Sequence, residues 1–284
     1  MGRAAILLLI VSLAGCSSKP KIVVGSKNFT EQIILGEIIA GQIERKLGIQ
    51  VERKLNLGGT LLAHEALKSG SIDLYPEYTG TALTAVLKRP ADRDPKNSFQ
   101  TIQQAYSTWH ILWLSPLGFN NSFAMVVRSS DAREENLHTL TDATRHSWKM
   151  GVGYEFIQRP DGLSGLVGTY GLKLDGDPVV MDLGLLYAAL QSKQISMAAA
   201  NTTDGMLAHP EFSVLEDDKH YFPPYECAIA VREQTLKDFP KLRAALDELS
   251  GRISDREMRR LNELVDVQHK APVDVARKFL GIPE

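Results

Sequence analysis

The sequence predicts an α/β protein with two lobes around a cleft, each lobe a mostly parallel sheet flanked by helices. Three observations support this prediction. The chain has 284 residues, which is enough for about two domains. Strand and helix patterns alternate along it in two successive runs. Two further segments, 123–127 and 227–231, have strand patterns at the positions where the chain would cross between the lobes.

The first run of alternating patterns forms the N-terminal part of the predicted body. Its longest helix has apolar residues at helical spacing from Ile34 to Leu47. Asn28 with Glu31 three residues later resembles a capping box at the start of this helix, and Gly48 ends it. The predicted strands of this run are 21–26, 49–55 and 72–75, and its predicted helices are 29–47, 60–68 and 98–114.

The second run repeats this order and is followed by a helical tail. Its predicted strands are 123–127, 149–153, 179–181 and 195–200, and its predicted helices are 162–170 and 183–191. After the strand at 227–231, the tail has predicted helices at 241–249, 255–267 and 273–280. We therefore predict a first lobe of residues 21–122 and 226–284, and a second lobe of residues 123–225.

Composition and charge argue against several functional classes. Hydrophobic residues make up 44% of the chain and charged residues 23%, which is typical of a globular body with a sizeable core. Lys and Arg total 32 against 34 Asp and Glu, whereas nucleic-acid binders usually carry a basic excess. Two cysteines, Cys16 and Cys227, cannot form a disulfide framework. We therefore expect no nucleic-acid partner, and we expect Cys227 to be a small buried residue.

The N-terminus is typical of an export signal followed by a lipid-attachment site. The apolar run from Ala4 to Leu13 is too short to cross about 30 Å of hydrocarbon as a helix, and it fits a secretory signal. Leu13-Ala14-Gly15-Cys16 resembles the bacterial lipobox; the alternative is an ordinary signal peptide that contains a cysteine. We predict a signal peptide (1–15), a lipidated Cys16, a tether (16–20) and an extracytoplasmic, lipid-anchored body.

Motifs of catalytic and cofactor sites are incomplete in this sequence. His64-Glu65 is not followed by a second histidine at zinc-protease spacing. Gly162-Leu163-Ser164-Gly165 falls short of the G-x-S-x-G hydrolase motif. Gly151-Val152-Gly153 lacks the third glycine of a dinucleotide fingerprint. We therefore predict no enzymatic activity, no catalytic residues, no cofactor and no metal.

Six polar or aromatic residues lie at predicted strand ends and helix starts, where α/β folds bind ligands. Three can bind a carboxylate by charge-assisted hydrogen bonds, namely Lys27, Thr81 and Arg159. Three can bind a quaternary ammonium by cation–π attraction of roughly 0.5–2 kcal/mol per ring, namely Tyr78, Phe123 and Tyr225. Together they match both ends of a zwitterion. Singly, these motifs have ordinary alternatives: a solvated lysine, an aromatic turn packed on the core at 75–81, and a surface loop at 159–162.

Seven motifs resemble those of the substrate-binding proteins of osmoprotectant ABC importers, the glycine betaine, choline and carnitine group. The motifs occur in the family's order and cover nearly all of the chain after the tether. They are GSKNFTEQ (25–32), LYPEYTGTAL (74–83), NNSFA (120–124), RPDG (159–162), MDLGLLYAAL (181–190), NTTDG (201–205) and YFPPY (221–225).

The resemblance implies a two-lobed, type II periplasmic-binding-protein fold that closes about a hinge on a trimethylammonium compound. It also implies delivery of that ligand to a membrane permease, whose partner ATPase supplies the energy. By motif position, it places a carboxylate clamp on Lys27, Thr81 and Arg159. It places an aromatic cage on Tyr78, Phe123, Asn201 and Tyr225, with Asn121 lining the cage. We expect the protein to be a monomer.

Two cage positions depart from the family pattern, which usually has tyrosine at both. Phe123 keeps the ring face and loses the hydroxyl, whereas Asn201 has no ring at all. An amide wall favours choline, carnitine or a larger betaine with an additional polar arm, or weaker binding of glycine betaine.

These patterns predict a solute-binding lipoprotein of an ABC importer. The alternative is an extracytoplasmic sensor that binds a related zwitterion and signals without transport. An enzyme acting on a choline ester would need a nucleophile and base that the motifs do not supply. A purely structural lipoprotein would not need converging rings and cations.

Overall fold

The computed structural model describes residues 21–283, so the predicted signal peptide, Cys16 and the tether lie outside the described residues. Twelve strands occur in residues 21–283. They are β1 (Ile22–Gly25), β2 (Val51–Lys54), β3 (Leu74–Tyr78), β4 (Ile111–Trp113), β5 (Phe123–Arg128), β6 (Ser147–Trp148), β7 (Met150–Val152), β8 (Lys173–Leu174), β9 (Val179–Val180), β10 (Met197–Asn201), β11 (Phe212–Leu215) and β12 (Cys227–Arg232).

Thirteen α-helices accompany these strands in the same part of the chain. They are α1 (Thr30–Leu47), α2 (Thr60–Ser69), α3 (Thr79–Thr81), α4 (Pro95–Ser107), α5 (Ser129–Glu134), α6 (Leu140–Ala143), α7 (Tyr154–Gln158), α8 (Leu163–Tyr170), α9 (Leu186–Gln191), α10 (Glu233–Asp238), α11 (Leu242–Asp247), α12 (Asp255–Asp266) and α13 (Pro272–Leu280). A π-helical segment, Ala82–Val86, continues α3, and short 3₁₀ turns lie at Leu183–Leu185 and Gly205–Ala208. Within residues 21–283, no helix combines the length and apolarity needed to cross a membrane.

The predicted helix over 98–114 is wrong at its C-terminal end. The helix α4 stops at Ser107, and His110 has a φ of 56°, which a right-handed helix cannot contain. Residues 111–113 instead form β4 and pair with β12. Their apolar side chains continue the apolar pattern of the helix, but they belong to a sheet strand, in which Ile111 and Trp113 are buried and Leu112 is half-buried.

The first large sheet has the strand order β2-β1-β3-β12-β4. The strand β1 is parallel to β2 and to β3, whereas β12 is antiparallel to β3 and to β4. Because β12 lies far along the chain, its pairing with β3 brings Tyr78 beside Cys227. The C-terminal end of β3 therefore lies next to the segment that carries Tyr225.

The second large sheet has the strand order β11-β5-β10-β7-β9, and β6 pairs with β8 in a separate small sheet. Here β7 is parallel to β9 and β10, whereas β5 is antiparallel to β10 and β11. The α/β class is confirmed, and each large sheet also contains antiparallel strands. The strands β5 and β12, at the predicted crossings, are the antiparallel members near the site. We keep the predicted lobe boundaries as our working division.

The helix α1 organises the core of the first lobe. Its Ile34, Ile38, Ile39 and Ile43 are fully buried, as its helical apolar spacing predicts. They pack in one cluster with residues of α11, α12 and α13. The helix thereby holds Glu31 of its first turn against the middle of the molecule.

Gly118, in the loop between β4 and β5, offers a test of this packing. Its φ is 113°, and a Cβ there would lie 2.9 Å from backbone atoms of Gly251 and Ile253. We expect Gly118→Ala to lower the free energy of unfolding by more than about 2 kcal/mol, because both the conformation and the space exclude a side chain.

Gly171 is the matched control. Its φ is also positive, at 73°, but nothing lies within 4 Å of the added Cβ. We expect Gly171→Ala to lower the free energy of unfolding by only about 1 kcal/mol, because alanine is disfavoured in the left-handed conformation. Urea unfolding followed by circular dichroism measures both values. Equal losses would show that the contact with Gly251 does not restrict residue 118.

Candidate ligand-binding site

Arg159 connects the two lobes at the centre of the predicted site. It follows α7, and its buried guanidinium donates through Nη1 to Thr81 Oγ1 over 2.9 Å. The guanidinium carbon lies 5.1 Å from the ring centroid of Phe123 and 5.5 Å from that of Tyr225. The structure therefore brings Thr81, Phe123, Arg159 and Tyr225 together, and it places a cation over two ring faces.

Asp161 balances the charge of Arg159. Arg159 Nε and Nη2 donate to the two carboxylate oxygens over 2.9 and 2.6 Å, and Tyr225 Oη donates to Oδ2 over 2.5 Å. Burial opposes ionisation of Asp161, but the hydrogen bonds and charge of Arg159 outweigh it and lower the pKa of this carboxyl. The motif RPDG contains both Arg159 and Asp161, but the sequence analysis assigns a role only to Arg159.

Lys27 forms the second buried cation of the site. It follows β1, and its Nζ donates to Glu77 Oε1 over 2.5 Å and to Thr60 Oγ1 over 3.2 Å. The same Nζ lies 4.9 Å from the ring centroid of Tyr78. Lys27 and Glu77 are both buried, so the alternative of a solvated lysine at this position is wrong.

Glu31 is a buried carboxylate whose role sequence reasoning missed. The helix α1 begins after Phe29 without a side-chain cap, so the predicted capping box of Asn28 and Glu31 is wrong. The carboxylate instead accepts four hydrogen bonds, from Tyr78 Oη (2.6 Å), Asn121 Nδ2 (2.7 Å), Thr203 Oγ1 (2.5 Å) and Asn262 Nδ2 (3.1 Å). Burial raises its pKa despite these bonds.

Asn201 ends β10 and lies directly opposite Phe123 in the antiparallel pair of β10 and β5. Its main-chain N–H donates to Asp204 Oδ2 over 3.1 Å, and its Nδ2 lies 3.4 Å from Asp204 Oδ1. Tyr187 Oη also donates to Asp204 Oδ2 over 2.9 Å. Although part of Asp204 reaches solvent, burial of its carboxylate raises its pKa to about 7.

Contacts between the lobes flank these residues on both sides. On one side, Glu155 of α7 accepts from Thr60 N over 2.5 Å and from Thr60 Oγ1 over 3.0 Å. A Cβ at Gly59 would lie 2.4 Å from Glu155 Oε1, so a larger residue there would require the Glu155 side chain to move. On the other side, Thr203 donates to Glu31. The lobes are therefore closed on each other along the predicted site.

A separate groove lies beside the crossing strands. It has a volume of about 690 Å³ and is lined by residues that include Phe222, Pro223 and Pro224. Phe123 is the predicted site residue in its lining. Six other predicted residues lie together between the lobes, so we place the candidate site there and not in the groove; they are Lys27, Tyr78, Thr81, Asn121, Arg159 and Tyr225. The side chain of Asn201 contacts Asp204 of its own lobe instead.

Comparisons with known proteins give one matching family and several similar proteins. Residues 20–281 match the family described as the substrate binding domain of ABC-type glycine betaine transport systems. A solved structure described as a glycine betaine/carnitine/choline ABC transporter is 31% identical and has a TM-score of 0.77. The similarity covers 92% of this chain and 98% of that one.

Two curated relatives are similar over nearly the whole chain. The ergothioneine transport permease/ergothioneine binding protein EgtU of Helicobacter pylori is 35% identical over 96% of this chain and 49% of its own length. The chain thus spans about half of that relative. The carnitine transport binding protein OpuCC of Listeria monocytogenes is 32% identical over 94% of this chain and 88% of its own length.

Asp204 makes the stability of the folded protein depend on pH. Because its pKa is raised from 3.8 to about 7 in the folded protein, the folded state binds more protons than the unfolded state between these values. The contribution of Asp204 to the free energy of unfolding is therefore greatest below about pH 4, and it falls as pH rises towards 7. Glu31, whose pKa is also raised, contributes with the same sign.

We expect Asp204→Asn to make the slope of the melting temperature against pH less negative between about pH 4 and pH 7. Differential scanning calorimetry of the wild type and the variant measures this difference. The control is Asp218→Asn, because hydrogen bonds from Thr141 outweigh the small effect of burial and lower the pKa of that exposed carboxyl. Identical slopes for the wild type and Asp204→Asn would show that Asp204 ionises normally.

Proposed function

We propose a quaternary ammonium compound as the ligand of this chain, which belongs to the family of substrate-binding domains of ABC-type glycine betaine transport systems. The chain is a substrate-binding protein of an ABC importer. In our proposal it captures glycine betaine, choline, carnitine or a related betaine outside the cytoplasmic membrane and delivers it to the permease. The names of its relatives, which bind carnitine and ergothioneine, support a ligand of this class.

The placement of cations over aromatic rings carries this proposal. The guanidinium of Arg159 faces the rings of Phe123 and Tyr225, and the ammonium of Lys27 faces the ring of Tyr78. Ring faces attract cations through their quadrupole, and a quaternary ammonium has no N–H by which hydrogen bonds could select it. The three rings therefore supply the interaction that such a head group needs.

The buried cations support a clamp for the carboxylate end of a betaine. Lys27 and Arg159 are each paired with one internal carboxylate, Glu77 or Asp161. A guanidinium has five N–H donors and an ammonium three, so both can donate further bonds. Thr81 Oγ1 accepts a hydrogen bond from Arg159 Nη1 and so helps to fix the position of the guanidinium.

We also propose how the protein is held and what it contacts. Lipidation of Cys16 would anchor the body to a bacterial membrane through the tether, and a monomer would present the ligand to permease and ATPase subunits. Binding energy closes the lobes, and no substrate is altered. Because the family match is to a transport system, import is favoured over the sensor that the sequence left open.

The cation–π interaction is tested with a neutral carbon analogue. We expect 3,3-dimethylbutanol, in which carbon replaces the choline nitrogen, to bind at least about tenfold more weakly than choline. Phe123→Leu should reduce this preference. Phe99→Leu is the control, because Phe99 packs on Trp113 in the first lobe. Isothermal titration calorimetry gives the three ratios, one for the wild type and one for each variant, and equal affinities of the wild type for the two compounds would contradict an aromatic cage.

The carboxylate clamp is tested by the difference between two ligands in one variant. We expect Arg159→Ala to weaken glycine betaine by more than about tenfold, because a charge-assisted bond to its carboxylate is lost. Choline has no carboxylate and should lose less. Both ligands are titrated into the same variant, so the loss of the ion pair of Asp161 affects both titrations and does not explain a difference between them. Equal losses would show that Arg159 does not bind the carboxylate.

A further inference from the structure

A carboxylate of the second lobe lies at the start of a helix of the first lobe. Glu155 Oε1 accepts from Thr60 N over 2.5 Å, and Glu155 Oε2 accepts from Thr60 Oγ1 over 3.0 Å. Thr60 is the first residue of the ten-residue helix α2, which has no side-chain cap and no acidic residue in its first turn. Glu155 therefore binds an N–H that the helix cannot satisfy internally, and the helix dipole favours its negative charge there.

Thr60 connects this contact to the predicted carboxylate clamp. Lys27 Nζ donates to Thr60 Oγ1 over 3.2 Å, and the same hydroxyl donates its one proton to Glu155. The main chain joins the same two segments, since Asn28 N donates to Gly58 O over 3.1 Å. Glu155 therefore binds a part of the first lobe that is itself bonded to the segment of Lys27.

Within the second lobe, Glu155 is bonded to the segment that carries Arg159. Arg159 follows α7, and its main-chain N–H donates to Glu155 O over 3.0 Å. A contact that holds Glu155 against α2 therefore also holds Arg159 towards Thr81 of the first lobe. Both carboxylate oxygens of Glu155 already accept bonds from Thr60, so this effect requires no contact between Glu155 and a ligand.

The two sides of the site are joined by different kinds of contact. Thr203, which donates to Glu31, follows Thr202, and Thr202 N donates to Ser122 O over 2.9 Å directly before the crossing strand β5. That side is therefore held next to a chain crossing. Within residues 21–283, all hydrogen bonds between α2 and α7 are made by the Glu155 carboxylate. The link between these two helices thus depends on one side chain.

We propose that Glu155 is a positioning residue that stabilises the closed arrangement of the lobes and thereby raises the affinity for every ligand of the site. The inference rests on the proposed function and adds a residue that acts without touching the ligand. When a ligand binds an open form that then closes, the apparent affinity includes the closing equilibrium. Weakening of the closed form therefore weakens all ligands by one common factor, whereas loss of a ligand contact affects each ligand according to its chemistry.

Substitution of Glu155 tests the common factor. We expect Glu155→Ala to weaken glycine betaine and choline equally, by at least about fivefold, because two hydrogen bonds between the lobes are lost. Glu155→Gln keeps an acceptor for Thr60 N and should weaken both ligands less. Isothermal titration calorimetry measures both affinities. Glu211→Ala is the matched control, since Glu211 bonds to Gln191 inside the second lobe.

Gly59 provides a second test, which depends on the position of the Glu155 side chain. The backbone of Gly59 is extended, with a φ of −75° that alanine adopts without strain. The three atoms nearest to an added Cβ all belong to Glu155. We expect Gly59→Ala to weaken both ligands by about fivefold in the wild type but by less than about twofold in Glu155→Ala, because the side chain that it displaces is then absent.

The outcomes separate this inference from the function on which it rests. An unchanged affinity in Glu155→Ala, a loss for one ligand alone, or equal effects of Gly59→Ala in both backgrounds would overturn the role of Glu155 while leaving a quaternary-ammonium-binding protein. Failure of the wild type to bind any trimethylammonium compound would overturn the proposed function and this inference with it. Circular dichroism melting establishes that each variant is folded before its titration is interpreted.

Discussion

The bond network of Arg159 is the constraint on which the closed arrangement depends. A buried guanidinium is unfavourable unless its charge and its N–H groups are satisfied. Asp161 supplies the charge, Thr81 and Thr84 supply hydroxyl acceptors from the first lobe, and two rings cover the faces. Because these partners come from both lobes, Arg159 makes all of these contacts only when the lobes are together.

The fold brings these partners together from segments that are far apart in the sequence. The antiparallel pairing of β12 with β3 brings Tyr225 beside the turn after Tyr78, and a Cβ at Gly80 would lie 2.5 Å from the Tyr225 ring. The pairing of β10 with β5 brings Asn201 opposite Phe123. The antiparallel pairings of the two sheets therefore set the positions of Tyr78, Phe123 and Tyr225.

Much of this arrangement could be predicted from the sequence, and the remainder could not for a physical reason. The isoleucines of α1 and the strand patterns of β1 and β5 are local signals, and the structure has these elements where they were predicted. The end of α4 was missed because burial in β4 requires the same apolar residues as a helix face. The motifs also supply the eight candidate residues. All of them except Asn201 lie around the contact between the lobes, and their ligand contacts stay a prediction.

The acidic partners were missed because their roles arise from contacts between distant parts of the chain. Glu31 bonds to Thr203 and Asn262, which are 172 and 231 residues away. At its own position in the sequence, a glutamate in the first turn of a helix resembles a cap. Glu155 bonds to Thr60, 95 residues away, and has no local motif. Only folding distinguishes these carboxylates from the many exposed ones.

The charges between the lobes bear on the kind of ligand that such a site can accept. Two cations, Lys27 and Arg159, are balanced by Glu77 and Asp161, while Glu31 and Asp204 have no cation of their own among the bonds that hold them. Burial raises the pKa of both, because a carboxylate that is removed from water is less stable in its charged form. The quaternary ammonium that we propose as the ligand carries its positive charge without a proton, and a cation bound beside either carboxylate would favour the ionised form of that carboxylate.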